Sequence, residues 1–248
     1  MPLKMKDETI NKISFKALLK SNAQQLKSVL IDPDEFDLST AESFLNRLPF
    51  EADCIFVGGS SVKKGATQNL VSQLKLFTKL PIVLFPGDYS QISKEADALL
   101  FLQLVSGENP EYLIRQQIKA VPHLKDTNLE IIPTGYILID GGKNTSVEKV
   151  SHTKAIPQNE IERILNTALA SEYLGHQCVY LEAGSGAKKP VSEEIINTLA
   201  LHLTIPIIVG GGIKNATSMH QAFNAGAKLV VVGNALEKKF FGDEGKYL

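Results

Sequence analysis

The chain has 248 residues, 44% of them hydrophobic, and its 26 Lys and Arg nearly balance its 27 Asp and Glu. This composition excludes an intrinsically disordered protein, and the net charge of -1 argues against a nucleic-acid partner, because a surface that tracks phosphates normally carries a basic excess. The two cysteines are too few for a disulfide-stabilised scaffold, and each begins an apolar run, as is typical of a buried thiol. This cysteine usage indicates a reducing, cytoplasmic compartment.

Eight short apolar runs recur along the chain, and each is followed by turn residues. Nearly every residue of these runs is apolar, which is typical of parallel strands buried on both faces. The predicted strands are 28–31, 54–57, 82–85, 98–104, 130–139, 178–181, 207–209 and 229–232.

Amphipathic segments between these runs predict helices at 39–48, 69–79, 110–121, 158–174, 192–203 and 215–225. Eight strands that alternate with helices over about 250 residues predict an α/β fold, a closed (β/α)8 TIM barrel, in a single domain that spans 1–248. A doubly wound open sheet is the alternative, but the glycine fingerprint that usually follows its first strand is missing.

Two further segments complete the prediction. An amphipathic pattern at 10–25 predicts that residues 1–27 form an N-terminal helical extension that plugs the bottom of the barrel. The longest stretch without a pattern, 140–157, predicts an irregular loop at the rim of the barrel. No apolar run approaches the ~20 residues that span a bilayer, and the charged N-terminus lacks the apolar core of a signal peptide, so no integral membrane segment is expected.

Glycine-rich turns follow the last three predicted strands, at the rim where TIM barrels have their active sites. They are GSG at 184–186, GGG at 210–212 and GN at 233–234. Glycine lets backbone N–H groups approach an anion closely, and a helix that follows adds a favourable dipole. These loops therefore predict a phosphate-binding site, and tight turns are the alternative explanation for the glycines.

Three oxygen-bearing side chains belong to the same rim. Asp32 follows the first strand and Ser60 the second, and Mg²⁺ often takes one or two protein oxygens beside those of a substrate phosphate. Capping of a helix by Asp32 or Asp34 is the alternative. Glu182 ends the sixth strand, where a carboxylate could orient or deprotonate a hydroxyl of a bound phosphate compound. Its alternative role is a structural acceptor for nearby N–H groups.

Seven motifs, in order and with consistent spacing, resemble the geranylgeranylglyceryl phosphate synthase family. They are LIDPD (30–34), FVGGS (56–60), LFPG (84–87), IPTGYI (132–137), YLEAGSG (180–186), VGGGIK (209–214) and VVVGNA (230–235). The GGG and GN turns are shared by many phosphate-binding barrels, whereas YLEAGSG together with IDPD and VGGS is specific to this family.

The resemblance implies a Mg²⁺-dependent prenyltransferase of ether-lipid and phospholipid biosynthesis. It implies that sn-glycerol 1-phosphate and an all-trans prenyl diphosphate, such as geranylgeranyl diphosphate, form a prenylglyceryl phosphate ether, which passes to a membrane, and diphosphate. The implied metal residues are Asp32 and Ser60, and Glu182 contacts the glycerol hydroxyls. The implied glycerol phosphate residues are Tyr180, Leu181, Glu182, Ala183, Gly184, Ser185, Gly186, Gly211, Gly212, Gly233 and Asn234. A homo-oligomer, either a dimer or a hexamer, is also implied.

One departure assigns a branch of the family. Members that use longer prenyl chains have a lysine two residues before the metal aspartate, and Leu30 in that position resembles the archaeal-type branch with its bacterial members. Residues 99–104, Tyr112 and Leu113 are expected to supply the apolar groove for the tail.

The alternative functions are a phosphate-binding-barrel isomerase or lyase acting on a small sugar-like phosphate, and a non-enzymatic phosphate sensor.

Overall fold

A computed structural model describes residues 14–21, 25–48 and 50–233, and within these ranges eight parallel strands close into a barrel. Each strand pairs with the next, and β1 pairs with β8. The strands are β1 Leu26–Ile31, β2 Cys54–Val57, β3 Ile82–Leu84, β4 Ala98–Leu104, β5 Glu130–Leu138, β6 Cys178–Glu182, β7 Ile207–Gly210 and β8 Leu229–Val232. The predicted TIM barrel is confirmed, and the predicted strand bounds differ from the observed ones by two residues or fewer.

Helices cover most of the connections between strands. They are α1 Phe15–Lys20, α2 Ala41–Leu45, α3 Ala66–Lys75, α4 Gln116–Leu124, α5 Ser146–Ser151, α6 Ile161–Tyr173, α7 Glu193–His202 and α8 Ala216–Asn224. A 3₁₀ turn, Leu38–Thr40, precedes α2, and a π-helical turn, Glu111–Arg115, precedes α4. The connection between β3 and β4, residues 85–97, contains no helix, so one side of the barrel lacks its usual cover.

The prediction of an irregular loop at 140–157 is wrong in part, because α5 lies within it. A capping box starts this helix: the Glu148 N–H donates to Thr145 Oγ1 at 3.0 Å, and the Thr145 N–H donates to Glu148 Oε2 at 2.7 Å. The six residues of α5 are too few to give a helical hydrophobic period, which explains why the pattern missed it.

The sheet separates two apolar layers. Alternate strand residues such as Phe56, Leu100 and Tyr180 point into the barrel, and their neighbours pack against the helices. Below the barrel, Phe15 and Leu19 of α1 join the inner layer, and the Phe15 ring meets Phe56 edge-on at 5.9 Å. The packing leaves the opposite rim, at the carboxyl ends of the strands, open for a site. None of the helices in the described ranges has the length and apolar character needed to cross a membrane.

Candidate active site

A cavity of about 1160 Å³ opens at the carboxyl ends of the strands. Its walls come from the loops after almost every strand, and three regions differ in chemistry. We call them the phosphate side, formed by the turns after β6, β7 and β8; the acidic corner, formed by the turns after β1 and β2; and the apolar arm, beside β4, α4 and α5. This size exceeds the usual range of small-molecule pockets, ~300–1,000 Å³, and would accommodate two substrates together.

The phosphate side consists of tightly packed glycine turns. Those that line the cavity are Gly184, Gly186, Gly211, Gly212 and Gly233, together with Ser185. Gly211 has φ +78°, and a Cβ on it would lie 2.4 Å from Glu182 Oε1 and 2.5 Å from the Gly184 nitrogen. Only glycine fits there, because the turn after β7 lies directly against the turn after β6.

Glu182, the last residue of β6, is only 7% exposed and points into the barrel mouth. Its Oε1 accepts a hydrogen bond from the Gly184 N–H at 2.6 Å. Burial raises the pKa of Glu182 to about 7, against the lowering effects of the Gly184 N–H and the Tyr180 hydroxyl. A carboxyl group with this pKa can accept or donate a proton near neutral pH. Glu182 is therefore an acceptor for an N–H group, as the alternative role required, and also a group suited to acid–base chemistry.

Tyr180, which lies next to Glu182, belongs to a cluster of three aromatic rings. Phe85 stacks on Tyr180 with ring centroids 4.7 Å apart, and Tyr136 lies 5.6 Å from Tyr180. Burial, followed by the Glu182 carboxylate, raises the pKa of both tyrosines well above its usual value, so both hydroxyls stay protonated. The Tyr180 hydroxyl is fully buried and makes no hydrogen bond of good geometry within the described residues. It is a donor available to Glu182 or to a ligand.

Asp32 defines the acidic corner. Its Oδ1 accepts from the Asp34 N–H at 3.0 Å, and its Oδ2 lies 2.5 Å from the place of a Cβ on Gly59. Burial raises the pKa of Asp32, and the Glu35 and Asp34 carboxylates add to this effect, against the hydrogen bond from Asp34.

The helix-cap alternative for Asp32 and Asp34 is wrong. Asp32 closes a tight turn, and Asp34 accepts from the Lys63 N–H at 3.1 Å. The residue that caps the following 3₁₀ turn is Asp37, whose side chain accepts from the Ser39 N–H.

The donor set at the acidic corner fits Mg²⁺ bound together with a substrate. Asp32, Asp34, Glu35 and Ser60 all line the cavity, and no Lys or Arg forms an ion pair with Asp32 in the part of the chain that the structure describes. The described residues contain no group of three His, Cys, Asp or Glu side chains that could hold a metal by themselves. One carboxylate and one hydroxyl suit Mg²⁺, since this ion keeps waters and takes phosphate oxygens.

The apolar arm extends from the barrel mouth to the outside of β4. Four consecutive residues, Leu99, Leu100, Phe101 and Leu102, line the cavity, although neighbouring strand residues face opposite sides of a sheet. The cavity reaches the outer side because the 85–97 connection places no helix there. Tyr112 lines this arm as expected, whereas Leu113 does not: it lines a separate surface groove beside α6.

The structure brings most of the predicted site residues to one cavity, with three exceptions. Leu181 and Ala183 pack in the outer apolar layer and do not line the cavity, and the Ala183 N–H already donates to the Gly210 carbonyl. Asn234 lies outside the described residues. Sequence reasoning missed Lys143 and Lys214, which line the phosphate side, and Tyr136. Isolated lysines in loops carry no local signal, whereas Tyr136 could have been found from its inward position on β5.

The PcrB family profile matches residues 22–247. The chain belongs to the PcrB family. A relative from Zunongwangia profunda named geranylgeranylglyceryl phosphate synthase is 52% identical over 227 residues, covering 91% of this chain and 97% of that protein. A relative of the same name from Pyrococcus furiosus is 38% identical over 220 residues, covering 88% of this chain and 87% of that protein.

Solved structures support the same membership in the PcrB family. The (S)-3-O-geranylgeranylglyceryl phosphate synthase from Thermoplasma acidophilum, crystallised in complex with its substrate sn-glycerol-1-phosphate, superimposes with a TM-score of 0.81. It is 33% identical, and the match covers 90% of each chain. The family resemblance carried by the sequence motifs is confirmed.

Proposed function

We propose that this chain transfers a prenyl group from an all-trans prenyl diphosphate, such as geranylgeranyl diphosphate, to sn-glycerol 1-phosphate. The C3 oxygen of the glycerol bonds to C1 of the prenyl group, the bond between C1 and the diphosphate oxygen breaks, and the hydroxyl proton passes to Glu182. The products are a prenylglyceryl phosphate ether and diphosphate. The position of Glu182, between the glycine turns and the apolar arm of one cavity, carries this proposal.

The phosphate side would hold the glycerol phosphate. Its glycine turns bring backbone N–H groups close to the cavity, and Lys143 and Lys214 add positive charge at the same wall. A phosphate bound there places the glycerol chain toward Glu182. The carboxylate is then within reach of a hydroxyl, and its pKa of about 7 leaves a large ionised fraction at neutral pH. Tyr180, held protonated, would donate to the same hydroxyl or to Glu182.

The acidic corner and the apolar arm would hold the prenyl diphosphate. The apolar arm would take the tail, and its side chains would exclude water from C1, which limits hydrolysis. Asp32 and Ser60 would hold Mg²⁺ together with the diphosphate oxygens. When bound, Mg²⁺ would stabilise the negative charge that develops on the departing diphosphate.

The test is incubation of the purified chain with sn-glycerol 1-phosphate, labelled geranylgeranyl diphosphate and Mg²⁺, followed by organic extraction. An acid-stable ether product that requires all three components is expected, and chelation should abolish it. Parallel reactions with donors of other lengths would define the tail. Absence of product with every donor and metal would overturn the proposal and favour the isomerase or lyase alternative.

Magnesium dependence, a homo-oligomeric assembly and a cytoplasmic location stay predictions. Light scattering on the eluted protein would give its mass in solution and decide between a monomer, a dimer and a hexamer. Fractionation of cells that express the chain would locate it.

A further inference from the structure

We infer that two glutamines outside the cavity, Gln91 and Gln158, are positioning residues. Gln91 holds the loops of the acidic corner in place, and Gln158 holds those of the phosphate side. This inference rests on the proposed function, since it assigns a different substrate to each region. Neither side chain lines the cavity, so both act through the backbone that they hold.

Gln91 joins the turns after β2 and β3. It is 2% exposed; its Nε2 donates to the Gly59 carbonyl at 3.0 Å, and its Oε1 accepts from the N–H groups of Gly87 at 3.1 Å and Gly59 at 3.4 Å. A Cβ on Gly87 would lie 2.4 Å from the Gly59 carbonyl oxygen, so the two turns touch. Gly59 lies against the Asp32 carboxylate and precedes Ser60. The Gln91 bridge therefore sets the geometry of the acidic corner.

Gln158 joins the segments after β5 and β6. Its Nε2 donates to the carbonyls of Asp140 at 2.9 Å and Pro190 at 3.0 Å, and its Oε1 accepts from the Ser192 N–H at 3.0 Å. Pro190 supports the phosphate side directly, because a Cβ on Gly212 would lie 2.9 Å from the Pro190 nitrogen. The Gln158 bridge therefore sets the geometry of the glycine turns.

Each bridge uses both ends of the amide, because Nε2 donates to a carbonyl while Oε1 accepts from an N–H group. Methionine has nearly the same length and volume but makes neither bond. The variants Gln91→Met and Gln158→Met thus remove the two bridges with little change in packing, and each is the matched control for the other.

The experiment measures KM for each substrate in both variants. It also measures calorimetric binding of sn-glycerol 1-phosphate alone and of inorganic diphosphate with Mg²⁺. Loss of a hydrogen bond that orients a metal ligand typically costs about 10–100-fold in affinity or activity, and we take the lower end as the expected size for these bridges. We expect Gln91→Met to raise KM for the prenyl diphosphate and weaken diphosphate binding about tenfold, with glycerol phosphate affinity changed by less than about twofold. Gln158→Met should give the reverse.

Equal changes in affinity for both substrates, or a lower melting temperature with both affinities intact, would overturn the inference. A purely structural role would not weaken the binding of one substrate and spare the other. If a methionine variant does not fold, the asparagine variant replaces it. Asparagine is too short by one methylene to reach both segments, so the same loss of affinity for one substrate only is expected. Failure of the proposed function is distinguishable, since wild type would then form no ether product while calorimetry would still report on each bridge.

Discussion

Replacing Glu182 with glutamine removes one ionisable group from the cavity and keeps an oxygen that can accept from the Gly184 N–H. The buried carboxyl has a pKa of about 7 against 4.5 when unperturbed. The folded protein therefore holds this proton more tightly than the unfolded chain. Below pH 4.5 the group is protonated in both states, and its contribution to stability is complete; as the pH rises through 7, that contribution is lost.

The size of this effect follows from the same two pKa values. Each tenfold difference in proton affinity between the folded and unfolded states is worth about 1.4 kcal/mol. The free energy of unfolding of the wild type is therefore about 3 kcal/mol lower at pH 8.5 than at strongly acidic pH, as far as Glu182 is concerned. Glutamine does not titrate and escapes this loss. We expect Glu182→Gln to be more stable than wild type by about 1 kcal/mol at pH 5 and by about 3 kcal/mol at pH 8.5.

The same substitution should lower activity. If Glu182 accepts the hydroxyl proton, turnover should fall roughly 10²–10⁴-fold while glycerol phosphate still binds. The wild-type kcat/KM should rise with pH up to about 7, and the variant should lose this rise. If the carboxylate also orients the hydroxyls, the preference for glycerol 1-phosphate over its mirror image, glycerol 3-phosphate, should decrease.

Urea unfolding of both proteins at pH 5 and pH 8.5, together with pH–rate profiles, would check these expectations. If the difference in unfolding free energy between the variant and the wild type does not grow with pH, the pKa of Glu182 is not raised by burial. Unchanged rate, affinity and stereopreference would leave Glu182 with only its structural bond to Gly184.

Three other substitutions test the acidic corner, the phosphate side and the bottom of the barrel. Asp32→Asn should reduce turnover by roughly 10²-fold or more while calorimetric binding of glycerol phosphate survives; a wild-type rate at saturating Mg²⁺ would contradict the metal role. Gly211→Ala should raise KM for glycerol phosphate about tenfold. The new Cβ would lie only 2.4 Å from Glu182 Oε1 and would push it away, and the φ of +78° at Gly211 is strained for alanine. An unchanged KM in a folded variant would refute this. Phe15→Ala should cost about 3–5 kcal/mol of unfolding free energy with both KM values intact, because this fully buried ring packs at the bottom of the barrel and does not line the cavity; a loss below about 1 kcal/mol would show that α1 does not support the barrel.

The sequence alone determined the barrel and the order of its rim. Each strand is a run of buried residues bounded by turn residues, and this information is local. Once eight such runs are ordered, the residue after each of them must reach the same rim, which placed Asp32, Ser60, Glu182 and the glycine turns together. The two-residue period of a strand requires Tyr180 and Glu182 to share one face of β6, and the structure shows that this face is the inner one.

Only the tertiary structure decided how the segments of the rim touch. The six-residue α5 has no readable period and depends on its capping box and on contacts from the preceding connection, such as the Tyr112 hydroxyl bond to the Val150 carbonyl. The outward extension of the cavity past β4 exists because residues 85–97 form no helix, and the Gln91 and Gln158 bridges join turns that are distant in the chain. Side chains of this kind carry no local pattern, because their partners come within reach only when the barrel closes.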